Sequence, residues 1–509
     1  MNTRAIFVFT KGARRVPTTV ERGQAMLFTL LFAGATALVC LLLYNSATLA
    51  NSKTELQNAA DAGAYSSGLL LARDHNFSAY TNRAMVANQV AVAQFVSLKS
   101  YLEDAADTRT RLDNAQHRRQ ARNAIFKPSW EAAKLIPMRA IYNSYLKMAG
   151  SSVKTVDTLI EAFSHAQELH HIATAANVIF IADEVVKRND PLASVSTGKF
   201  QVGNALVQID RWKEYTNRHR ANDPSAQADR FANVVVSEQS TDEFTRNRES
   251  SPLPSWVSVP SQFGCPKPLI PIWTTFSFEH RGGTILSSNK KRWLALDATM
   301  GDGWVWCQLK AVPIRRRLGD GDGGSGGAVA GAGGAYNDQI GFRGNPEATR
   351  YYGRALIHKD TKRPAGSRYA KGPGGTLDSS AGLQDYYRDV SNTSGTPANQ
   401  SAELNGGQAP LTIEVVREGN SIRTAAKILP GAKDLKLDDR GGLKGNSMRA
   451  LSSAHAYFYR ANTDSSVFTK TGWKRADNRS EMANLFNPYW QARLVDRTDD
   501  ERIASVLAQ

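Results

Sequence analysis

The chain has 509 residues, a net charge of +16 and a sequence pI of about 9.7. A hydrophobic content of 41% excludes wholesale disorder, while 22% charged residues and a mean hydropathy of −0.39 describe a water-exposed bulk spread over two or three domains. The basic balance favours anionic neighbours such as phospholipid headgroups, lipopolysaccharide or acidic polymers, or serves only as a soluble surface. No compact Lys/Arg run interleaved with aromatics marks a nucleic-acid face, so no nucleic acid is expected as a partner.

The first element is a membrane span. Gln24 to Ser52 carries no charged side chain, and Ala25 to Tyr44 is almost wholly apolar, the length needed to cross a hydrocarbon layer as a helix. Arg4, Lys11, Arg14, Arg15 and Arg22 precede it, opposed only by Glu21. The positive-inside rule therefore makes residues 1–24 a cytoplasmic basic N-terminus and sends the chain beyond Asn51 across the membrane. A cleavable secretory signal would have a shorter apolar region, of about 7–15 residues, ending in a small-x-small site. Thr48-Leu49-Ala50 has that form, but the apolar stretch ahead of it is too long, so the span at 25–46 is expected to stay.

Arg22-Gly23-Gln24, the apolar helix behind it and "LQNAADAGA" (Leu56 to Ala64) together resemble the N-terminal segment of TadG-like proteins of tight-adherence (Flp) pili. Processed pilins of such systems carry a glutamate at the fifth position after the cleavage glycine, where this chain has Phe28. The resemblance thus implies an unprocessed, membrane-anchored component of pilus assembly with a structural, minor pilin-like or adhesin-like role. It implies other pilus-assembly or pilin-like membrane proteins as partners, and a single-pass inner-membrane protein whose bulk is periplasmic.

Beyond the span, helical periodicity continues through Leu49, Leu56, Ala60, Ala64 and Leu71. Ala60, Ala64 and Gly68 form one row of small residues at four-residue spacing; Ala59, Gly63 and Ser67 form the next. Such rows let another helix approach closely, and two glycines inside a helix ask for a packing reason, although an alanine-rich flexible stalk would read the same way. "RDHNFSA" (Arg73 to Ala79) reads as a turn, after which Met85, Val86, Val90, Ala93, Phe95 and Leu98 form a second helix able to fold back as a hairpin.

Val156, Leu159, Phe163, Ala166, Ile172, Ala176 and Ile179 repeat at helical steps, so residues 47–250 form a helical periplasmic domain. "PIWTTFSFEH" (Pro271 to His280), "RWLALDA" and "GWVWCQLKAV" read as strands and make 251–318 strand-rich. "GDGDGGSGGAVAGAGGA" (Gly319 to Ala335) gives a Gly-rich linker or loop at 319–337. Leu411 to Gly419 and Ala454 to Ala461 are strand candidates in a mixed C-terminal domain, 338–509. There "ANLFNPYWQARL" (Ala483 to Leu494) is similar to the C-terminal part of larger TadG-like proteins; its aromatics pack on a core and Pro488 sets a turn. The fold class is α+β: one N-terminal transmembrane helix, a helical membrane-proximal domain and a strand-rich distal region.

Chemistry is sparse. His165, His170 and His171, with Glu161, lack the spacing that puts two ligands on one helical face. Asp320 and Asp322 resemble a calcium repeat, but one copy cannot stack into a roll. Some TadG-like proteins carry a von Willebrand type A domain with an Asp-x-Ser-x-Ser adhesion motif; "DSSAG" from Asp378 and "DSSVF" from Asp464 both lack its second serine. No nucleophile-elbow, phosphate-loop or dinucleotide motif appears, so neither an enzyme nor a cofactor or metal is expected. A membrane-anchored hydrolase and a basic polyanion-binding envelope factor are the alternatives. Cys40 lies in the span, whereas Cys265 and Cys307 fall in the translocated part, where they are either a disulfide or two buried thiols.

Overall fold

The computed structural model describes residues 21–120, 137–217, 235, 240–249, 256–260, 265–287, 291–309, 312–331, 342–345, 410–422, 447–459, 483, 485–497 and 499–507. Residues 1–20, and with them most of the basic N-terminus, lie outside the described residues, as do Asp378 and Asp464.

The spine is helix α1, Glu21–Gln120, 100 residues without a break. At a rise of about 1.5 Å per residue it is about 150 Å long. Its first turns are open among the described residues: Met26, Leu27, Phe28, Leu31 and Phe32 are all exposed. From Ser52 onward one face is buried.

Helix α2, Met138–Asn189, lies antiparallel along that face. Ser67 Oγ donates to the Val178 carbonyl at 2.8 Å, Gln167 Nε2 reaches the Ser78 carbonyl at 3.2 Å, and Tyr145 Oη donates to the Phe95 carbonyl at 2.7 Å. Tyr142, Tyr145, Ala149, Val153, Ile160, Val178, Ala182 and Val186 supply the buried stripe of α2, so tertiary packing stabilises a helix whose first turn has no side-chain cap.

Two four-stranded antiparallel sheets pack on the other sides of α1. The first is ordered β1 (Ala193–Val195), β6 (Leu411–Glu418), β7 (Ser447–Phe458), β8 (Trp490–Val495). The second is ordered β2 (Trp256–Pro260), β3 (Ile270–Leu286), β4 (Arg292–Leu309), β5 (Val312–Gly331). Three shorter α-helices, α3 (Lys199–Asn217), α4 (Glu243–Arg246) and α5 (Asp499–Leu507), and a 3-10 turn at Gly419–Ser421 complete the elements among the described residues. One core joins Leu56, Ala60, Ala64, Val186, Ile413 and Ala454; another joins Val92, Val96, Val153, Trp293, Ala328 and Phe486.

The fold class is therefore α+β, with a long apolar N-terminal helix and antiparallel sheets. Three local expectations are corrected. The turn at Arg73 to Ala79 does not exist, because α1 runs straight through it. Asp74, His75 and Ser78 are buried rather than loop residues, and half-buried Asn76 is a docking group whose Oδ1 accepts from the backbone N–H groups of Tyr489 and Trp490, both at 2.9 Å. The helical hairpin accordingly forms between α1 and α2, not within residues 56–98. Finally, Gly319–Gly331 is no linker but the second half of β5, paired with Arg292–Gly303 of β4. A Cβ on Gly326 would stand 1.9 Å from the Ser100 carbonyl oxygen of α1. Glycine lets that helix lie directly on the strand. Residues 332–337 of the expected linker lie outside the described residues.

α2 also meets the length and composition of a span. Its inner face, however, is engaged by polar and apolar groups of α1 well beyond the exposed apolar turns.

Candidate anchor and docking site

Ala25 to Tyr44 turns an uninterrupted apolar surface outward, with Thr29 and Thr36 donating back to carbonyls of their own helix. Each backbone group in such a segment is satisfied internally, as hydrocarbon requires. Cys40 is exposed on it.

About four turns beyond this surface the small residues take over. Ala59, Ala60, Ala64 and Ser67 are fully buried. The row of Ala59, Gly63 and Ser67 meets α2: a Cβ on Gly63 would lie 2.8 Å from Val186 Cγ2 and 3.2 Å from the Ala182 carbonyl oxygen. The row of Ala60, Ala64 and Gly68 runs to the first sheet instead of a helix, and a Cβ on Gly68 would meet Ala454 Cβ of β7 at 3.0 Å and Ala492 Cβ of β8 at 3.6 Å. Gln57 Nε2 donates to the Leu451 carbonyl of β7 at 3.0 Å beside it. Two adjacent rows thus seat two different elements, one helical and one stranded.

Higher on α1 the contacts become polar. Buried Asp74 accepts from His170 Nδ1 at 2.6 Å and from His171 Nδ1 at 2.8 Å. Burial alone would raise its pKa, but the bonds from His170 and His171 outweigh that and hold the carboxyl below its ordinary range. His165 and Glu161 do not join this cluster, and among the described residues no group of three His, Cys, Asp or Glu has the geometry of a metal site.

Asn82 and Arg83 bind the Leu485 and Phe486 carbonyls at 2.8 and 2.5 Å, clasping the segment that leads into β8. Leu485, Phe486 and Trp490 are buried there. Tyr489, at φ 105°, sits in the left-handed region that only firm packing sustains in a non-glycine residue.

The second sheet is fastened by buried charges. His280 on β3 reaches Asp104 Oδ2 of α1 and Asp297 Oδ1 of β4, both at 3.1 Å. Arg248 forks onto Asp297, with Nε and Nη2 each at 2.8 Å. Burial opposes the His280 charge, but bonds and fields from Asp104 and Asp297 overcome it and push the pKa up to about 9. Burial likewise opposes the Asp297 charge, and Arg248 with His280 holds that carboxyl below its ordinary range. Asp104 is raised, since burial there exceeds what His280 and Thr299 return. The group has no exposed member and acts as a lock between α1 and the sheet. The sequence reading missed it; its signal is Ser97, Ser100 and Asp104, polar residues at helical spacing on the buried face of α1.

Cys265 and Cys307 form a disulfide with a Cα–Cα distance of 5.8 Å, tying the approach to β3 onto β4.

Residues 23–70 match the family model described as "Putative Flp pilus-assembly TadE/G-like". Over these residues the chain is similar to TadE/G-like proteins. The match begins at the entrance of the apolar surface and ends just past Gly68, so it covers the apolar segment and both small-residue rows. No curated protein and no solved structure matches the chain.

Proposed function

We propose that this TadG-like chain is a membrane-anchored structural component of Flp pilus assembly. The reading places 25–46 in the inner membrane, the N-terminus in the cytoplasm and the bulk in the periplasm. One observation carries it: the family-matched residues 23–70 are a single stretch of unbroken helix in which an exposed apolar segment passes directly into two buried docking rows. An anchor continuous with the body's own spine fixes the height and orientation of everything packed on it. A tethered catalytic domain has no need of that rigidity; a subunit that must hold pilin-like membrane partners in register does. Phe28 in place of a pilin glutamate and the length of the apolar run support retention of the anchor.

Deletion of the gene tests the role. The expected result is loss of surface pili under electron microscopy, restored by the full chain from a plasmid. Wild-type piliation in the deletion strain would overturn it.

A further inference from the structure

A linear scan finds no basic run interleaved with aromatics, yet strand pairing assembles one. Contacts between α1 and the second sheet climb away from the apolar segment: Gln89 to Trp293 at 3.2 Å, Ser97 to Thr284 at 2.6 Å, and Asp104 to Thr299 at 2.5 Å. At about 1.5 Å per residue, about 90 Å of helix separates Tyr44 from Asp104. From Thr299 β4 runs on to Leu309, a further ~33 Å of strand. β3, β4 and β5 thus continue as a three-stranded arm toward the end of the molecule away from the anchor.

Register puts Trp273, Trp306 and Arg315 in one row across that arm, with Trp304 two residues along on the same face. The Arg315 guanidinium lies 3.8 Å from the Trp304 ring centroid and 5.9 Å from that of Trp306. The opposite face is closed, since Val305 and Cys307 are fully buried. At the arm's end Ile270 is 68% exposed and Val312 64%, beside exposed Lys267. The sequences 256–278 and 303–319, whose described residues build this end, contain no Asp or Glu; carboxylates resume at Glu279, Asp302 and Asp320, closer to the body. The Cys265–Cys307 disulfide braces the same end.

Exposed aliphatics at the point, indoles behind them and the cations Lys267 and Arg315 in segments that carry no Asp or Glu are the arrangement that settles into the interface of an anionic bilayer. We propose that the arm's end docks on an anionic phospholipid surface other than the one holding α1, so that the chain spans the gap between two membranes. The rigid spine keeps the arm from reaching back to the anchoring bilayer. A soluble polyanion would use the arginine but leaves Ile270 and Val312 without a role.

The test uses the full chain embedded in phosphatidylcholine nanodiscs and separately added vesicles, scored by co-flotation. Vesicles containing phosphatidylglycerol should float with the chain at least about ten-fold better than pure phosphatidylcholine vesicles, and added salt should weaken the effect. Lys267→Glu with Arg315→Glu, and independently Ile270→Ser with Val312→Ser, should each reduce co-flotation by about ten-fold while the melting temperature stays at that of the parent chain. Equal flotation of both vesicle types, unchanged binding by the aliphatic pair, or competition by dextran sulfate but no loss in Ile270→Ser/Val312→Ser would overturn the lipid assignment.

Discussion

Replacing Gly63 with alanine or leucine probes the junction between the apolar helix segment and the body. In an open helix the change to alanine gains roughly 0.8–1 kcal/mol, because glycine is the poorer helix former. At Gly63 the new Cβ meets Val186 Cγ2 at 2.8 Å and the Ala182 carbonyl oxygen at 3.2 Å. Val186 is β-branched and buried, so its methyl group has little room to turn away, and the carbonyl belongs to the backbone of α2. Relieving the contact means moving α2 off α1, an overpacking cost of about 1–3 kcal/mol for alanine and at the upper end or beyond for leucine. The net effect of Gly63→Ala is a loss of about 1 kcal/mol, and of Gly63→Leu about 2–3 kcal/mol, set against the propensity gain. Gly150 on α2 is the internal control, since a Cβ there meets nothing within 4 Å. Gly150→Ala should gain most of the propensity difference, about 0.5–1 kcal/mol. Thermal melts of the detergent-solubilised chain read both, and the two changes must move the midpoint in opposite directions. A Gly63→Leu chain melting at or above the parent would refute the close contact and return 59–68 to a solvated stalk.

Other consequences are open to simple assays. Gly68→Leu, pressed against Ala454 and Ala492, should stay in the membrane fraction but lose about 1–3 kcal/mol of stability, read by melting of the extracted protein. His280 has a folded-state pKa above its unfolded value, so its contribution is fully present below about pH 6.5 and is lost as pH rises through about 9. The melting temperature should fall across that window, and a His280→Asn chain should lose the fall. Arg248→Leu strands Asp297 in the buried lock and should cost about 3–5 kcal/mol, whereas a surface-like cost below about 1 kcal/mol would contradict it. Cys265→Ser with Cys307→Ser removes a link across a sequence separation of 42 residues. On the chain-entropy estimate that link contributes about 4 kcal/mol, so the doubly substituted chain should melt well below the parent, and an unchanged midpoint would assign the bond no stabilising part.

The long apolar helix segment and the small-residue rows are legible in the sequence because both are local. An uncharged run and a four-residue spacing can be read without knowing what lies across from them. What the rows face is not local: Val186 lies over a hundred residues from Gly63, and Ala454 further still. Helix α1 hides its continuity at Arg73 to Ala79 because Asp74, His75 and Asn76, polar and consecutive, have the composition of a turn, while their partners His170, His171 and Trp490 come from distant segments. The glycine-rich half of β5 reads as a linker for a similar reason. Its composition reports flexibility in isolation, whereas at Gly326 the missing side chain admits the Ser100 backbone of α1. The buried lock of Asp104, His280, Asp297 and Arg248 draws on α1, β3, β4 and the residue that follows α4 by two, so it exists only once the sheet is docked.

The central claim is that anchor and body act in pilus assembly as one rigid piece. Its most direct measurement is electron-microscopic counting of surface pili in cells whose only copy of the chain begins at residue 47 behind a cleavable secretion signal. The account predicts a folded periplasmic body, with its Cys265–Cys307 bond formed, and no pili. Pili at the wild-type number on those cells would contradict it.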